Sequence, residues 1–229
     1  MNKRVFTFWE GKMPDYIKLC MKTWKFDYVL LNYENLMDYT VFEIEKTKRF
    51  TLPQMSDAVR VHVLRDQGGI WLDADTIMLT DQLPEENMVG IPEERAAHCG
   101  YLNFEKYSQM LVEWSKNQDD AIRSNIVSGS WDIFANGFSD KYIKSHLDIT
   151  IKSRELMFPE LYVIPGNKTT KEKYLAFYFE KNCTLDSIKP ADMLMLHNSW
   201  TPSWYKELSE KDLLERECTM SNILREVAK

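Results

Sequence analysis

The sequence predicts an α/β fold, and three observations carry that prediction. The chain opens in a β-α-β order, an amphipathic helix later runs through a double glycine into a short apolar strand, and that strand delivers two aspartates one residue apart. The elements follow in order. Val5–Phe8 is a short buried strand that ends at the turn Glu10-Gly11. Pro14 opens a helix to Trp24, with Ile17, Cys20, Met21 and Trp24 at helical spacing. Asp27–Leu31 is the second strand, and residues 35–50 read as a weakly patterned helix. Ser56 reads as the N-cap of the next helix, whose apolar stripe is Ala58, Val61 and Leu64 and whose stop is Gln67-Gly68-Gly69. Ile70-Trp71-Leu72 is a strand, followed by Asp73-Ala74-Asp75 and the apolar run Thr76–Leu79. Glu105–Asn117 is an amphipathic helix, and Trp131–Leu147 is helical with a break at Gly137. Tyr162–Ile164 and Met193–Leu196 are late strands, and Ser209–Val227 is one terminal helix.

Composition narrows the function. The 229 residues form one domain, since no Gly/Ser/Pro-rich linker interrupts them. Acidic residues outnumber basic ones by 35 to 29, which argues against a nucleic-acid backbone binder but leaves room for a small phosphorylated ligand. No run approaches the roughly 20 apolar residues of a membrane span, and the opening residues are too weakly apolar for a signal peptide. Cys20, Cys99, Cys183 and Cys218 lie far apart with no CxxC, the pattern of reduced thiols in a cytoplasmic protein.

Three constellations carry chemistry. In the first, a buried strand brings Asp73 and Asp75 to its carboxyl end, where open α/β sheets bind ligands. Strand alternation would point both carboxylates the same way, a pair suited to Mn²⁺ or Mg²⁺ with diphosphate oxygens completing the shell. In the second, Ser56-Asp57-Ala58-Val59-Arg60 sets Asp57 and Arg60 on one helix face, at a helix start that favours an anion. The bland alternative is a cap and an i,i+3 salt bridge. The third is His197-Asn198-Ser199-Trp200-Thr201-Pro202-Ser203-Trp204, which offers a metal ligand, hydroxyl contacts and an aromatic wall, or else a Pro-containing turn with core tryptophans.

Together these residues resemble glycosyltransferase family 32, the group with many capsular polysaccharide synthesis enzymes, and through it the glucosylating domain of large clostridial toxins. Val5–Gly11 is similar to the family's opening strand, Ser56–Asp75 to its SDxxR…GGIYLDxD signature and His197–Trp204 to its closing His…Ser-Trp block. Trp71 stands where the family has Tyr. The resemblance implies a GT-A fold with a mixed, mainly parallel sheet, and a metal-dependent, retaining transfer of a sugar from a nucleotide-diphosphate donor, a UDP-sugar first, to a saccharide acceptor, free or lipid-linked. Residues 1–80 would form the nucleotide-sugar half, 81–205 the acceptor half and 206–229 a C-terminal helix. Asp75 would ligate the metal, with Asp73 contacting ribose and the metal's shell and His197 as a third metal ligand. Asp57 and Arg60, with Ser56, would hold the donor sugar, and Arg60 would also steady the leaving diphosphate. Trp9 would stack on the base with Trp71 beside the donor, while Asn198, Ser203 and Trp204 would close over the diphosphate. The implied place is the cytoplasm or the inner face of the cell membrane, with at most peripheral membrane contact.

Other features read as structural. His62, His98 and His146 have no partner at ligand spacing, and Asp119-Asp120 reads as a solvated turn. The basic stretch Lys168–Lys173 before Tyr174, Phe177, Tyr178 and Phe179 reads as a solvated helix end rather than a membrane surface. Ser128-Gly129 and Asn136-Gly137 are candidate acceptor loops. Two rival functions share the paired aspartates: a non-catalytic sugar-nucleotide-binding module and a haloacid-dehalogenase-type phosphatase. The latter lacks its usual Thr or Val two residues after the second Asp, where Ile77 stands.

Overall fold

Short apolar runs bounded by turns form the strands in the computed structural model, which describes residues 3–41, 50–124, 134–153, 170–188 and 191–228. In chain order the elements are β1 (Val5–Phe8), α1 (Asp15–Lys22), β2 (Tyr28–Leu31), α2 (Leu52–Gln67), β3 (Gly69–Leu72), β4 (Thr76–Met78), β5 (Met88–Ile91), β6 (Ala96–Phe104), α3 (Gln109–Arg123), α4 (Asn136–Ser145), β7 (Ile151–Ser153), α5 (Lys171–Leu175), β8 (Met193–Met195), α6 (Ser203–Lys206), α7 (Glu210–Glu215) and α8 (Thr219–Val227). They divide into two units. One comprises residues 1–11, 27–73 and 84–153, and the other residues 12–26, 74–83 and 154–229.

The first unit holds a six-stranded sheet in the order β2-β1-β3-β6-β5-β7. The β1–β2, β1–β3 and β5–β7 pairs are parallel, and β6 runs antiparallel to both its neighbours. The fold class is therefore α/β with a mixed, mainly parallel sheet. Phe6 pairs with Trp71 in register, so Trp9 and Asp73 follow the carboxyl ends of adjacent parallel strands. Phe6, Val59, Val63, Trp71, Leu102 and Trp114 are among the buried side chains of its core.

The helix that feeds β3 starts earlier than its sequence suggests. Thr51 is the N-cap, and its N–H donates to Gln54 Oε1 at 3.0 Å in a capping box. Ser56 therefore lies in the second turn, and no helix N-terminus is available for an anion at Ser56–Arg60. The other end matches the double-glycine reading. Gly68 (φ 67°) and Gly69 (φ 107°) occupy the left-handed region, and a Cβ at Gly69 would lie 2.4 Å from Arg4 O. Only glycines let α2 stop and β3 start against β1.

Tyr107, at φ 58° with its N–H donated to Arg65 O at 2.9 Å, delays α3 until after Ser108. The helix then runs on to Arg123, so Asp119 and Asp120 are helical rather than a turn after a helix. Gly137 sits inside α4 rather than breaking it. In residues 35–50 the described part holds a 3-10 turn, Leu36–Asp38, while residues 42–49 lie outside the described residues. Ser128-Gly129 and the expected strand Tyr162–Ile164 lie outside them as well.

Asp119 has a structural task. His62 is buried in α2, with Nδ1 2.9 Å from Ala58 O and Nε2 3.1 Å from Asp119 Oδ1. The hydrogen bond from His62 holds the Asp119 carboxyl below its ordinary value of 3.8. A lowered carboxylate stabilises the fold above its unfolded pKa and loses that contribution as pH falls through the folded one. Asp119→Asn is thus expected to destabilise the protein at neutral pH but to cost little at pH 2, which denaturant melts at the two pH values will measure.

In the second unit β4 and β8 form a two-stranded antiparallel sheet. Residues just after α1 anchor it: Met78 N–H donates to Thr23 Oγ1 at 2.8 Å, and Trp24 Nε1–H donates to Thr76 O at 2.9 Å. α5 continues as a π-helical turn, Ala176–Glu180, with Tyr174, Phe177 and Tyr178 buried. Those aromatics are core. The expected single terminal helix is two, because Arg216 and Cys218 are extended. The Arg225 guanidinium donates to Leu214 O at 2.7 Å and Arg216 O at 3.2 Å, satisfying the carbonyls the break exposes. Among the described residues no disulfide joins Cys20, Cys99, Cys183 or Cys218. Among the described residues no helix is long and apolar enough to cross a membrane.

Candidate active site

In the first unit, α2 and β3 bring Ser56, Asp57, Arg60, Trp71 and Asp73 together. Asp57 and Arg60 share a face of α2 at i,i+3, and Arg60 Nη2 lies 2.9 Å from Asp57 Oδ1 and 3.2 Å from Asp73 Oδ1. Arg60 Nη1 donates to Cys99 O, while Nε is 3.4 Å from Ser56 O and Nη2 is 3.4 Å from Ser56 Oγ. Arg60 is only 5% exposed and Asp57 8%, so the pair is buried rather than a solvated surface bridge. The guanidinium is bound to the protein on every nitrogen.

Trp71 is fully buried, and its Nε1–H donates to Asp73 Oδ1 at 2.8 Å. Alternation along the strand puts Trp71 and Asp73 on one face. It does not extend to Asp75, because β3 ends at Leu72 and Ala74-Asp75 form a turn before β4. The sequence argument for a shared face therefore fails between the two aspartates. Trp9 follows β1, half-buried, with its backbone N–H donated to Leu31 O at 3.0 Å and its indole Nε1 buried with no hydrogen-bond partner among the described residues. Beside it, the Glu10 carboxylate takes the Tyr33 N–H at 2.9 Å and fixes the turn.

The second unit has its own group of candidate residues, built on the β4–β8 ladder. Leu196 N–H donates to Asp75 O at 3.3 Å, and Asn198 N–H donates to Asp75 Oδ2 at 2.8 Å. The turn after β8 thereby grips Asp75, and the Tyr16 hydroxyl donates to Asn198 Oδ1. Burial, with the charge of Asp75 adding to it, pushes the Tyr16 phenol far above its ordinary value, so it stays a neutral donor. Burial lowers the Lys206 ammonium, while the Asp75 charge pulls the other way. The His197 ring lies 4.0 Å from the Trp200 ring and 5.6 Å from that of Tyr174, centroid to centroid.

Asp75, His197 and Asn198 are thus neighbours along one ladder and turn. Ser203 and Trp204 are on α6, Ser203 exposed and Trp204 43% exposed, with the Arg216 guanidinium 4.3 Å over the Trp204 ring. Trp200 belongs to the aromatic wall that the sequence offers in this block, whereas Tyr16 and Lys206 are neighbours the sequence reading missed, because they carry no sequence signal. Among the described residues no three His, Cys, Asp or Glu side chains gather as a metal cluster. Carboxylate oxygens with few protein ligands still fit a Mg²⁺-like cation, which keeps waters and takes substrate phosphates.

The model of the family described as capsular polysaccharide synthesis protein matches residues 1–119, more than half of the 229. The chain belongs to that family. The matched segment contains Trp9, Asp57, Arg60, Trp71, Asp73 and Asp75, while the turn at 197–201 lies beyond it. A solved structure titled PaToxG Glycosyltransferase is similar over 63% of this chain and 70% of that one, at 14% identity and a TM-score of 0.43. No curated protein sequence matches the chain.

Proposed function

We propose that this member of the family is a retaining, metal-dependent glycosyltransferase of GT-A type. It moves a sugar from a nucleotide-diphosphate donor, a UDP-sugar first, to a saccharide acceptor, in the cytoplasm or at the inner face of the cell membrane. One observation carries the reading. The Asp73-Ala74-Asp75 segment follows a buried strand; the buried Trp71 and Arg60 hold the Asp73 carboxylate, and the Asn198 N–H holds that of Asp75.

By the family resemblance Asp75 would hold Mn²⁺ or Mg²⁺, with Asp73 and His197 as the further expected ligands. The bound cation supplies charge that offsets the developing negative charge of the leaving diphosphate. The chain's own residues do the rest. Asp57 and Asp73 accept donor hydroxyls, held in place by the shared Arg60 guanidinium. With its nitrogens occupied, Arg60 acts by holding these carboxylates rather than by gripping the diphosphate. Lys206, whose ammonium feels the Asp75 charge, suits a diphosphate better than the exposed Ser203 and Trp204. No further carboxylate is marked as a nucleophile, which favours front-face transfer.

Incubation with UDP- and GDP-sugars and Mn²⁺, without acceptor, tests the reading. Slow metal-dependent release of free sugar with retained anomeric configuration, read by NMR, is the expected result. Binding without turnover would support the binding module instead, and phosphate release from a monoester the phosphatase.

Trp9 is expected to be the platform for the base, standing half-buried at a strand's carboxyl end. Stacking is worth roughly 1–3 kcal/mol per base. Trp9→Ala should therefore weaken donor binding about ten- to a hundredfold with little change in melting temperature. Unchanged affinity with a large drop in melting temperature would make Trp9 a packing residue.

A further inference from the structure

We propose that Trp71 is a positioning residue of the donor site, acting wholly through Asp73 and never touching the ligand. The proposal rests on the reading above only in that Asp73 meets the donor. Trp71 is fully buried, which excludes direct contact, yet its one polar atom is spent on Asp73 Oδ1 at 2.8 Å. An indole N–H is a donor only, so it can hold a carboxylate but not be held by a donor in return.

The Asp73 side chain is 24% exposed, and a carboxylate rotates readily about its last torsion. Two donors on one oxygen, the indole N–H and Arg60 Nη2 at 3.2 Å, fix the carboxylate plane and thereby aim the other oxygen. Arg60 cannot do this alone, because the same Nη2 is shared with Asp57 at 2.9 Å. The Trp71 ring also lies beneath the guanidinium, 5.4 Å from its carbon, so one side chain supports both Asp73 and the cation beside it.

Trp71→Phe keeps the ring packing and removes the N–H. With UDP-glucose, or whichever sugar nucleotide of the UDP and GDP panel is hydrolysed, kcat/KM should fall about ten- to a hundredfold. In an Asp73→Ala background the same substitution should change it less than about twofold, because an indirect effect has no route once the oxygen that accepts the indole N–H is gone. Equal losses in both backgrounds would overturn the proposal and make Trp71 a packing residue.

A second measurement needs neither turnover nor a stable Trp71→Phe protein. The indole ¹H–¹⁵N resonance of Trp71 should move and lose exchange protection in Asp73→Ala, with the backbone spectrum otherwise retained. An indole signal that stays put in Asp73→Ala would overturn the assignment. Absence of any sugar-nucleotide turnover by the unaltered chain would instead remove the transferase reading and leave this arm to decide the role of Trp71.

Discussion

Asp75→Asn is expected to remove metal-dependent turnover by about 100- to 1000-fold while leaving the protein folded. The argument rests on what the substitution keeps. Asparagine has the shape of aspartate, and its carbonyl oxygen can still accept the Asn198 N–H that now reaches Oδ2 at 2.8 Å. The β4–β8 ladder and the turn after it lose no donor. What disappears is the charge, on which a hard cation depends. Melting within about 2 °C of the unaltered chain, together with lost Mn²⁺ binding by calorimetry, is the expected pair of results. A folded Asp75→Asn protein with full activity would sink the metal assignment.

Arg60→Ala is expected to cost far more stability. An i,i+3 ion pair on a solvated helix is worth only a few tenths of a kcal/mol. Here the guanidinium is 5% exposed and Asp57 8%, and removing one partner of a buried pair costs about 3–5 kcal/mol. For a chain of this size that corresponds to a fall in melting temperature of roughly 10 °C. Arg60→Lys should recover little, since an ammonium cannot span Asp57, Asp73, Cys99 O and Ser56 as the planar fork does. A melting temperature unchanged in Arg60→Ala would mean the cluster contributes nothing to the fold.

Much of the sheet is legible from local pattern. β1 has the bounds its apolar run predicts, and β3 follows the double glycine because no other residue tolerates both the backbone angles and the closeness to Arg4. The start of α2 was misread because Ser56 is a good cap residue, while the true signal was the capping box Thr51-Leu52-Pro53-Gln54. The break before α8 has no glycine or proline to announce it; Arg225, reaching back across the break, is a tertiary cause. In the site, spacing along α2 gives the Asp57–Arg60 pair, but not that Cys99 O and Asp73 would occupy the rest of the guanidinium. Nor does it tell Trp71 in the core from Trp71 at a ligand. The closing block reads to Trp204 in the sequence, and its pattern does not tell that Trp204 stands 43% exposed.

The grip of Asn198 on Asp75 joins residues 123 positions apart in the chain. All of the first unit lies before residue 154, whereas the second draws on residues 12–26, 74–83 and 154–229. Synthesis at about 5–20 residues per second therefore releases Asp75 well before its donor exists. During that interval the Arg60 cluster can form on the nascent chain, while Asp75 stands without the backbone amide that later orients it. Loop closure over such a separation is also slow relative to local pairing. The carboxylate proposed for the metal is thus completed late in translation.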